Sequence, residues 1–343
     1  YHNALRQELL QFGESQITKT PISTVFFGGG TPSTYPNDML LDTCGILNNI
    51  FTFEDNAEVT IEVNPGTVKQ GQLEVWQSVG INRLSIGVQS LNNQVLKQLN
   101  RHQSVSDVFD LLDRAKNIFD NISVDLIVGL PGISSDDWKE TLRSVVTWPI
   151  KHVSIYFLTV HEDTPLYFGV KQKKILLPKD NQVVDLYYWS FFFLKENGFN
   201  QYEISNFAKL GYESKHNSAY WNRVPYKAFG LGACSFDGNS RFQNEKNLTK
   251  YMDGIKTLNG VTSFSEKLTQ EQMWVERLML GMRKISGMKL ADMLDGLEHE
   301  KHDQFLNKLS FLEKEDLLLI QDGIVKLTRS GLSLENEIVL RLI

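Results

Sequence analysis

Short runs of β-branched and apolar residues alternate with longer amphipathic segments through the first half of the chain. Thr24 to Phe27, Val59 to Val63, Arg83 to Val88, Ser123 to Val128 and His152 to Leu158 read as strands, each closed by a Gly, Pro, Asn or Ser turn. Between them, "NDMLLDTCGILNNIF", "KQGQLEVWQSVG", "NQVLKQLNR", "VSDVFDLLDRAKNIF" and "SDDWKETLRSVVTW" place apolar residues at the spacing of helices with one buried face. Strands and helices in this alternation predict an α/β fold, parallel strands joined by crossover helices. The opening "YHNALRQELLQF" sets Ala4, Leu5, Leu9 and Phe12 at helical spacing, so the sequence starts inside a helix and implies residues upstream of Tyr1.

After Thr159 the strand pattern becomes irregular. "QYEISNFAK" reads as a further strand and loop, and "SKHNSAYWNRVPYKAFGLGACSF", rich in aromatics and glycine, as a covering region. From Leu268 helical patterns precede two short strands around Asp322-Gly323 and a final helix, the layout of a small winged-helix-like module. It has no basic recognition helix, which assigns it to packing and not to DNA. The expected divisions are a barrel core at 1–165, a covering region at 166–265 and the C-terminal module at 266–343.

Composition narrows the class. The chain has 343 residues, 41% of them hydrophobic, enough for one large domain and a smaller appendage. A formal charge of -6 with interspersed signs argues against a nucleic-acid-coating surface and for a small-molecule or protein partner. No apolar run has the length of a membrane span, and "LYYWSFFFL" from Leu186 reads as a buried helix. Two cysteines, Cys44 and Cys234, exclude a disulfide scaffold and imply a reducing, cytoplasmic setting.

In folds of this class the site lies at the C-terminal ends of the strands and in the loops that follow them. The polar residues there are Gly28 to Gly30, Glu62 with "NPG", Gln89 with Ser90, Asp125, and Tyr156 to Thr159. Carboxylates within buried strands cost several kcal/mol unless partnered, so Glu62 and Asp125 are either ligand-binding groups or hydrogen-bonded to a neighbouring loop. The glycine run in "VFFGGGTPSTYP" fits neither nucleotide template: no Lys-Ser/Thr follows, and the G-x-G-x-x-G spacing is absent. A tight turn needs one glycine. Three at a strand end offer bare backbone groups to a ligand, with Thr31 adding a hydroxyl. No histidine pair has the spacing of a helical zinc site; His299 and His302 lie in a charged stretch that reads as a solvated face. No G-x-S-x-G elbow occurs, and neither cysteine has an identified base beside it, so nucleophilic catalysis has no candidate.

The ordered set "FFGGGTPS", "IEVNPG", "NRLSIGVQSLNNQVLKQLNR", "VDLIVGLPG", "YEISNFAK", "HNSAYW" and "FGLGACSF" resembles the radical S-adenosylmethionine (radical SAM) proteins related to oxygen-independent coproporphyrinogen III oxidase, and among them the haem chaperones. The resemblance covers nearly the whole chain. It implies a partial (β/α)6, TIM-like barrel lacking its first strand here. It places SAM contacts at Gly29, Gly30, Thr31, Glu62, Gln89, Arg101 and Asp125, with Thr159 and Phe236 lying against SAM; without it, Arg101 would read as a solvated helix-end charge. Glycine backbone groups would meet the amino acid end of SAM, Arg101 its carboxylate, and the acidic side chains its ammonium or ribose hydroxyls.

The same resemblance implies a [4Fe-4S] cluster on a C-x-x-x-C-x-x-C motif that this chain lacks, so cluster cysteines are expected upstream of Tyr1; natural loss is the alternative. In "HNSAY", the resemblance makes His216 a haem ligand candidate with Tyr220 beside it, an imidazole on a loop flanked by aromatics; read from the residues alone, a lone loop histidine is a capping or packing residue. Where haem chaperones of the family read "GLGAHS", this chain reads "GLGACS"; a cysteine thiolate can bind haem iron, but the simpler expectation for Cys234 is a small buried residue. The implied function is a haem carrier that binds haem and passes it to an acceptor protein, with SAM, the cluster and an electron donor completing the system. The alternatives are a coproporphyrinogen III dehydrogenase of porphyrin biosynthesis and a cluster-free SAM- or nucleotide-binding paralogue.

Overall fold

The computed structural model describes residues 1–15, 21–162, 164–257 and 260–343. The chain forms two compact units. The first comprises Thr24–Asn37 and Ala57–Ser214, the second Tyr1–Ser23, Asp38–Asn56 and Lys215–Ile343.

A curled sheet of β1 (Pro21–Phe27), β2 (Thr52–Val63), β3 (Arg83–Gln89), β4 (Asn121–Val128), β5 (His152–Phe157), β6 (Asn200–Gln201) and β7 (Asn206–Ala208) organises the first unit. Its order is β1-β2-β3-β4-β5-β7-β6. Strands β2 to β5 pair in parallel, and β7 joins β5 antiparallel. Alternation along these strands explains why the sheet has one dry and one chemical face. Ile61, Val63, Leu84, Ile86, Ile122, Val124, Leu126, Val153 and Ile155 are all buried. Each contributes about 1.5–3 kcal/mol on burial, and crossover helices supply the apposed Leu73, Trp76, Val108, Leu112, Trp138 and Leu142. The intervening positions form two polar rows on the opposite face: Glu62, Ser85, Ser123 and His152 in register, then Gly87, Asp125 and Ser154.

The helix patterns read from the sequence appear at Asn37–Ile50, Gln72–Ser78, Asn93–Gln98, Val105–Ala115, Ser135–Val145 and Asp180–Glu196. Two start on capping boxes, Ser104 with Asp107 and Ser134 with Asp137, which satisfy backbone N–H groups that a helix start otherwise leaves open.

In the second unit the helix His2–Ser15 lies with Leu248–Lys256, burying Ala4, Tyr251 and Ile255 together. The Glu8 carboxylate is buried and fully engaged: it accepts from Gly230 N at 2.8 Å, Asn244 Nδ2 at 2.7 Å and Tyr251 OH at 2.6 Å. Strands β8 (Cys234–Phe236), β9 (Ser240–Asn244) and β10 (Thr262–Lys267) make an antiparallel sheet. A C-terminal layer of helices carries β11 (Met288–Lys289), β12 (Leu318–Gln321) and β13 (Ile324–Leu327) in the order β11-β13-β12. Asp322 and Gly323, both at positive φ, form the two-residue turn that the Asp-Gly pair predicts. Trp274, Leu278, Met282, Phe305, Leu309, Val325 and Ile338 share its core.

Candidate functional site

The SAM residues proposed from sequence in the first unit collect at the C-terminal edge of the sheet. β1 ends at Phe27, and Gly28 follows where an added Cβ would stand 2.6 Å from Phe26 and 3.2 Å from Glu62 Oε1. Gly29 and Gly30 take φ of 83° and 63°, a left-handed pair that side chains resist, yet a Cβ on either would meet nothing within 4 Å. The loop therefore keeps glycine for its backbone shape beside open space, the form of a cradle for a ligand. Gly29 N donates to Glu62 Oε2 at 3.1 Å, which joins this loop to β2.

Asn64 is the hub of the arrangement, and the sequence reading did not assign it a role. Its backbone N–H donates to Ser33 Oγ at 3.1 Å, its Nδ2 lies 3.4 Å from Thr31 Oγ1, and its Oδ1 accepts from Arg101 at 3.3 Å. Arg101 reaches it because the helix Asn93–Gln98 ends on Asn100 at φ 56°, with Arg101 N returning to Leu96 O at 2.9 Å. The guanidinium thus has a hydrogen-bonded address within the site.

Gln89 stands at φ 65°, a strained value for this residue type, where the β3–β4 register shifts between Gly87 and Gln89. Its amide lies above Gly87: a Cβ there would come within 2.9 Å of Gln89 Nε2 and 3.4 Å of Asn64 Oδ1. The buried Gln103 donates from Nε2 to Gly87 O at 2.8 Å and Val88 O at 3.0 Å, clasping the bulge. One strand along, Asp125 Oδ2 accepts from Ser85 at 3.1 Å, and Ser154 is a further hydrogen-bond partner. Loss of water raises the Asp125 pKa above the ordinary carboxylate value against the opposing effects of Ser154, Arg83 and Ser85. Desolvation also raises that of Glu62, with the Gly29 bond opposing and the Asp125 charge adding. Thr159 lies exposed after β5.

Phe236, His216 and Tyr220 belong to the second unit. His216 is not on a loop: it sits in the helix Lys215–Trp221, where one turn brings its ring edge-on to Tyr220 at 4.9 Å. Tyr220 meets Tyr226 at 4.7 Å, and Tyr226 meets the buried Phe236 at 6.2 Å, so a row of rings connects all three candidates. Arg223 stands over Phe236 at 5.0 Å. Cys234 is exposed, which corrects the expectation of a buried residue: it is the first residue of β8, and the buried positions of this short strand are taken by Ser235 and Phe236. Desolvation first, then Tyr226 and Cys234 nearby, raises the hydroxyl pKa of Tyr220; desolvation and Cys234 raise that of Tyr226 against the opposing charge of Arg241.

The residues present fit SAM and do not fit the iron–sulfur cluster. The chain has two cysteines; Cys44 is buried, and burial pushes its thiol up to about 11. Among the described residues no three His, Cys, Asp or Glu side chains are grouped to hold a metal ion.

Comparison with known proteins gives this geometry a lineage. Residues 6–145 match the radical SAM superfamily. The heme chaperone HemW of Bacillus subtilis is 33% identical across 98% of this chain and 89% of its own length. HemW of Synechocystis sp. is 34% identical across 82% of this chain and 69% of its own. The solved structure of coproporphyrinogen III oxidase (HemN) from Escherichia coli matches all of this chain and 82% of its own with a TM-score of 0.81, at 24% identity, a likeness of fold. The chain belongs to the radical SAM superfamily. Within it, this is a HemW-like protein.

Proposed function

We propose that this chain is a haem carrier of the HemW type, which binds haem, passes it to an acceptor protein and holds SAM at the sheet edge. The convergence of the Gly29–Gly30 cradle, Glu62, Asn64 with Arg101, and Asp125 on one strand-end region carries the SAM assignment. Arg101, steered by Asn64, would pair the SAM carboxylate; Glu62 and Asp125 would accept from its ammonium and hydroxyl groups, and the glycine backbone would line its amino acid end. Gln89 and Thr31 would add an amide and a hydroxyl. When bound, SAM supplies an activated sulfonium carbon. Thr159 and Phe236 are proposed SAM neighbours on the family resemblance.

The haem assignment rests on identity to HemW across nearly the full chain and on the His216–Tyr220–Tyr226–Phe236 row, where an imidazole adjoins flat apolar surface. Titration of the chain with haem, followed by absorption, should saturate at one haem per chain, and His216→Ala should shift the bound-haem band. An unchanged spectrum would remove His216 as ligand, and no saturable binding would remove the carrier reading. Isothermal titration with SAM should show binding that Arg101→Ala weakens by about tenfold or more, as loss of a charge-assisted bond implies.

A further inference from the structure

Between the helices Pro165–Lys171 and Asp180–Glu196 runs "KQKKILLPK", with four lysines and no acidic residue in a chain whose formal charge is -6. The connection is tightly built. Lys173 N returns to Val170 O at 2.9 Å, Lys174 N and Ile175 N to Gly169 O at 2.9 and 3.1 Å, and Lys173 takes φ 57°. Ile175 packs down on Gly169, so closely that a Cβ there would stand 2.6 Å from its Cδ1. With Ile175 as the inward anchor, the next two residues turn out: Leu176 is 80% and Leu177 40% exposed, and Phe168 on the preceding helix is 46% exposed. Pro178 then stiffens the exit into the next helix.

Exposure of two leucines at a turn has a cost in water, which their 80% and 40% exposure among the described residues leaves standing, and the lysines about them are all exposed. We infer that this tip is a membrane-surface contact, in which Leu176 and Leu177 enter the headgroup region of an anionic bilayer while Lys171, Lys173, Lys174 and Lys179 meet its phosphates. Four lysines around an apolar point, against the single exposed Asp180 at its edge, are complementary to such a surface. It suits a protein partner less well, since a tip of this size falls short of the roughly 800 Å² per side that a stable interface buries. No helix among the described residues is long and apolar enough to cross a membrane, so the contact lies on the surface. This inference is independent of the SAM and haem assignments.

Flotation of the full chain with vesicles of phosphatidylcholine and phosphatidylglycerol in equal parts tests it, with pure phosphatidylcholine vesicles alongside. Binding is expected to the anionic vesicles only and to fall with added salt. Leu176→Ser with Leu177→Ser should abolish it, and Lys173→Glu with Lys174→Glu should weaken it by about fivefold per lysine or more. Circular dichroism melts should show both variants folded, because the altered side chains are exposed. Absence of binding by the unaltered chain, equal binding to neutral vesicles, or binding that neither variant reduces would each overturn the proposal. Loss of a self-association or protein contact in the leucine variant without vesicle binding by the parent would assign the tip to a protein and overturn it as well.

Discussion

Glu62 and Asp125 were visible in the sequence because carboxylates do not belong in buried strands without a reason, and their raised pKa values give that reason an experimental edge. A carboxyl whose folded pKa is raised favours the protonated form in the fold. Above that pKa its ionised form costs stability, and the cost disappears as pH falls through it. Glu62→Gln should therefore raise the melting temperature at neutral pH by about 2 °C, while weakening SAM binding by about tenfold. The parent's SAM affinity should fall as pH drops through the raised carboxyl range, and the variant's profile should be flatter. Destabilisation with unchanged SAM affinity would mean that Glu62 only braces the glycine loop. Asn64 was marked only by its place in "NPG", without its role, and Gly87 and Gln103 were not legible as site residues, since a glycine in "SIGVQS" has no distinctive pattern; only the fold brings them beside Gln89 and Arg101. Gln103→Met removes both clasping bonds at nearly constant volume, which should relax the Gln89 bulge and weaken SAM binding. If Gln103 acts through Gln89, the double variant with Gln89→Ala should bind no worse than the weaker single variant; additive losses would refute the positioning role.

Elements were legible where alternation was clean. The ends of β3, β4 and β5 fall close to the apolar runs, because each such strand buries one full face. The polar first half of β2, "TFEDNAE", gave no strand signal, and β11 at two residues is too short to give one. "HNSAYW" reads as loop because His, Asn and Ser are weak helix formers, yet it forms the helix that aligns His216 with Tyr220. The antiparallel pairing of β7 with β5 was also hidden, and it frames a buried polar chain. His152 Nδ1 shares a hydrogen bond with Ser123 Oγ at 2.7 Å, and Nε2 one with Tyr202 OH at 2.8 Å. Burial first, then the Arg83 charge, holds the imidazole pKa well below its ordinary value. A base with a depressed folded pKa binds its proton more readily in the unfolded chain, so its contribution is fully present above about pH 6.5 and is lost as pH falls further. Urea unfolding should show lower stability at pH 5.5 than at pH 7.5, and His152→Gln should flatten that slope at a cost of about 1–3 kcal/mol at the higher pH. Equal parent stability at the two pH values would exclude His152 as an acid-sensitive group.

At the scale of the whole molecule, fold and cluster chemistry separate. Sheet, glycine cradle and carboxylates are assembled by these 343 residues, whereas a three-thiolate iron–sulfur site is not, because only two cysteines are present. Nor is either of the two well suited to metal: Cys44 is buried on a helix with its thiol pushed up to about 11, and Cys234 stands exposed on a strand among tyrosines. Anaerobic incubation of this chain with iron and sulfide, followed by desalting, should accordingly leave no stoichiometric iron, and added dithionite should yield no SAM cleavage. SAM itself should still bind, since Gly29, Glu62, Asn64, Arg101 and Asp125 are positioned by hydrogen bonds within the protein and not by a metal. Cluster content near four irons per chain would contradict this and point to ligands other than the two cysteines. Loss of SAM binding in the iron-free chain would contradict it differently, making the cluster a necessary part of the SAM site. Persistence of both SAM and haem binding without iron would show that recognition of the two ligands is a property of the fold, with any radical chemistry an addition to it.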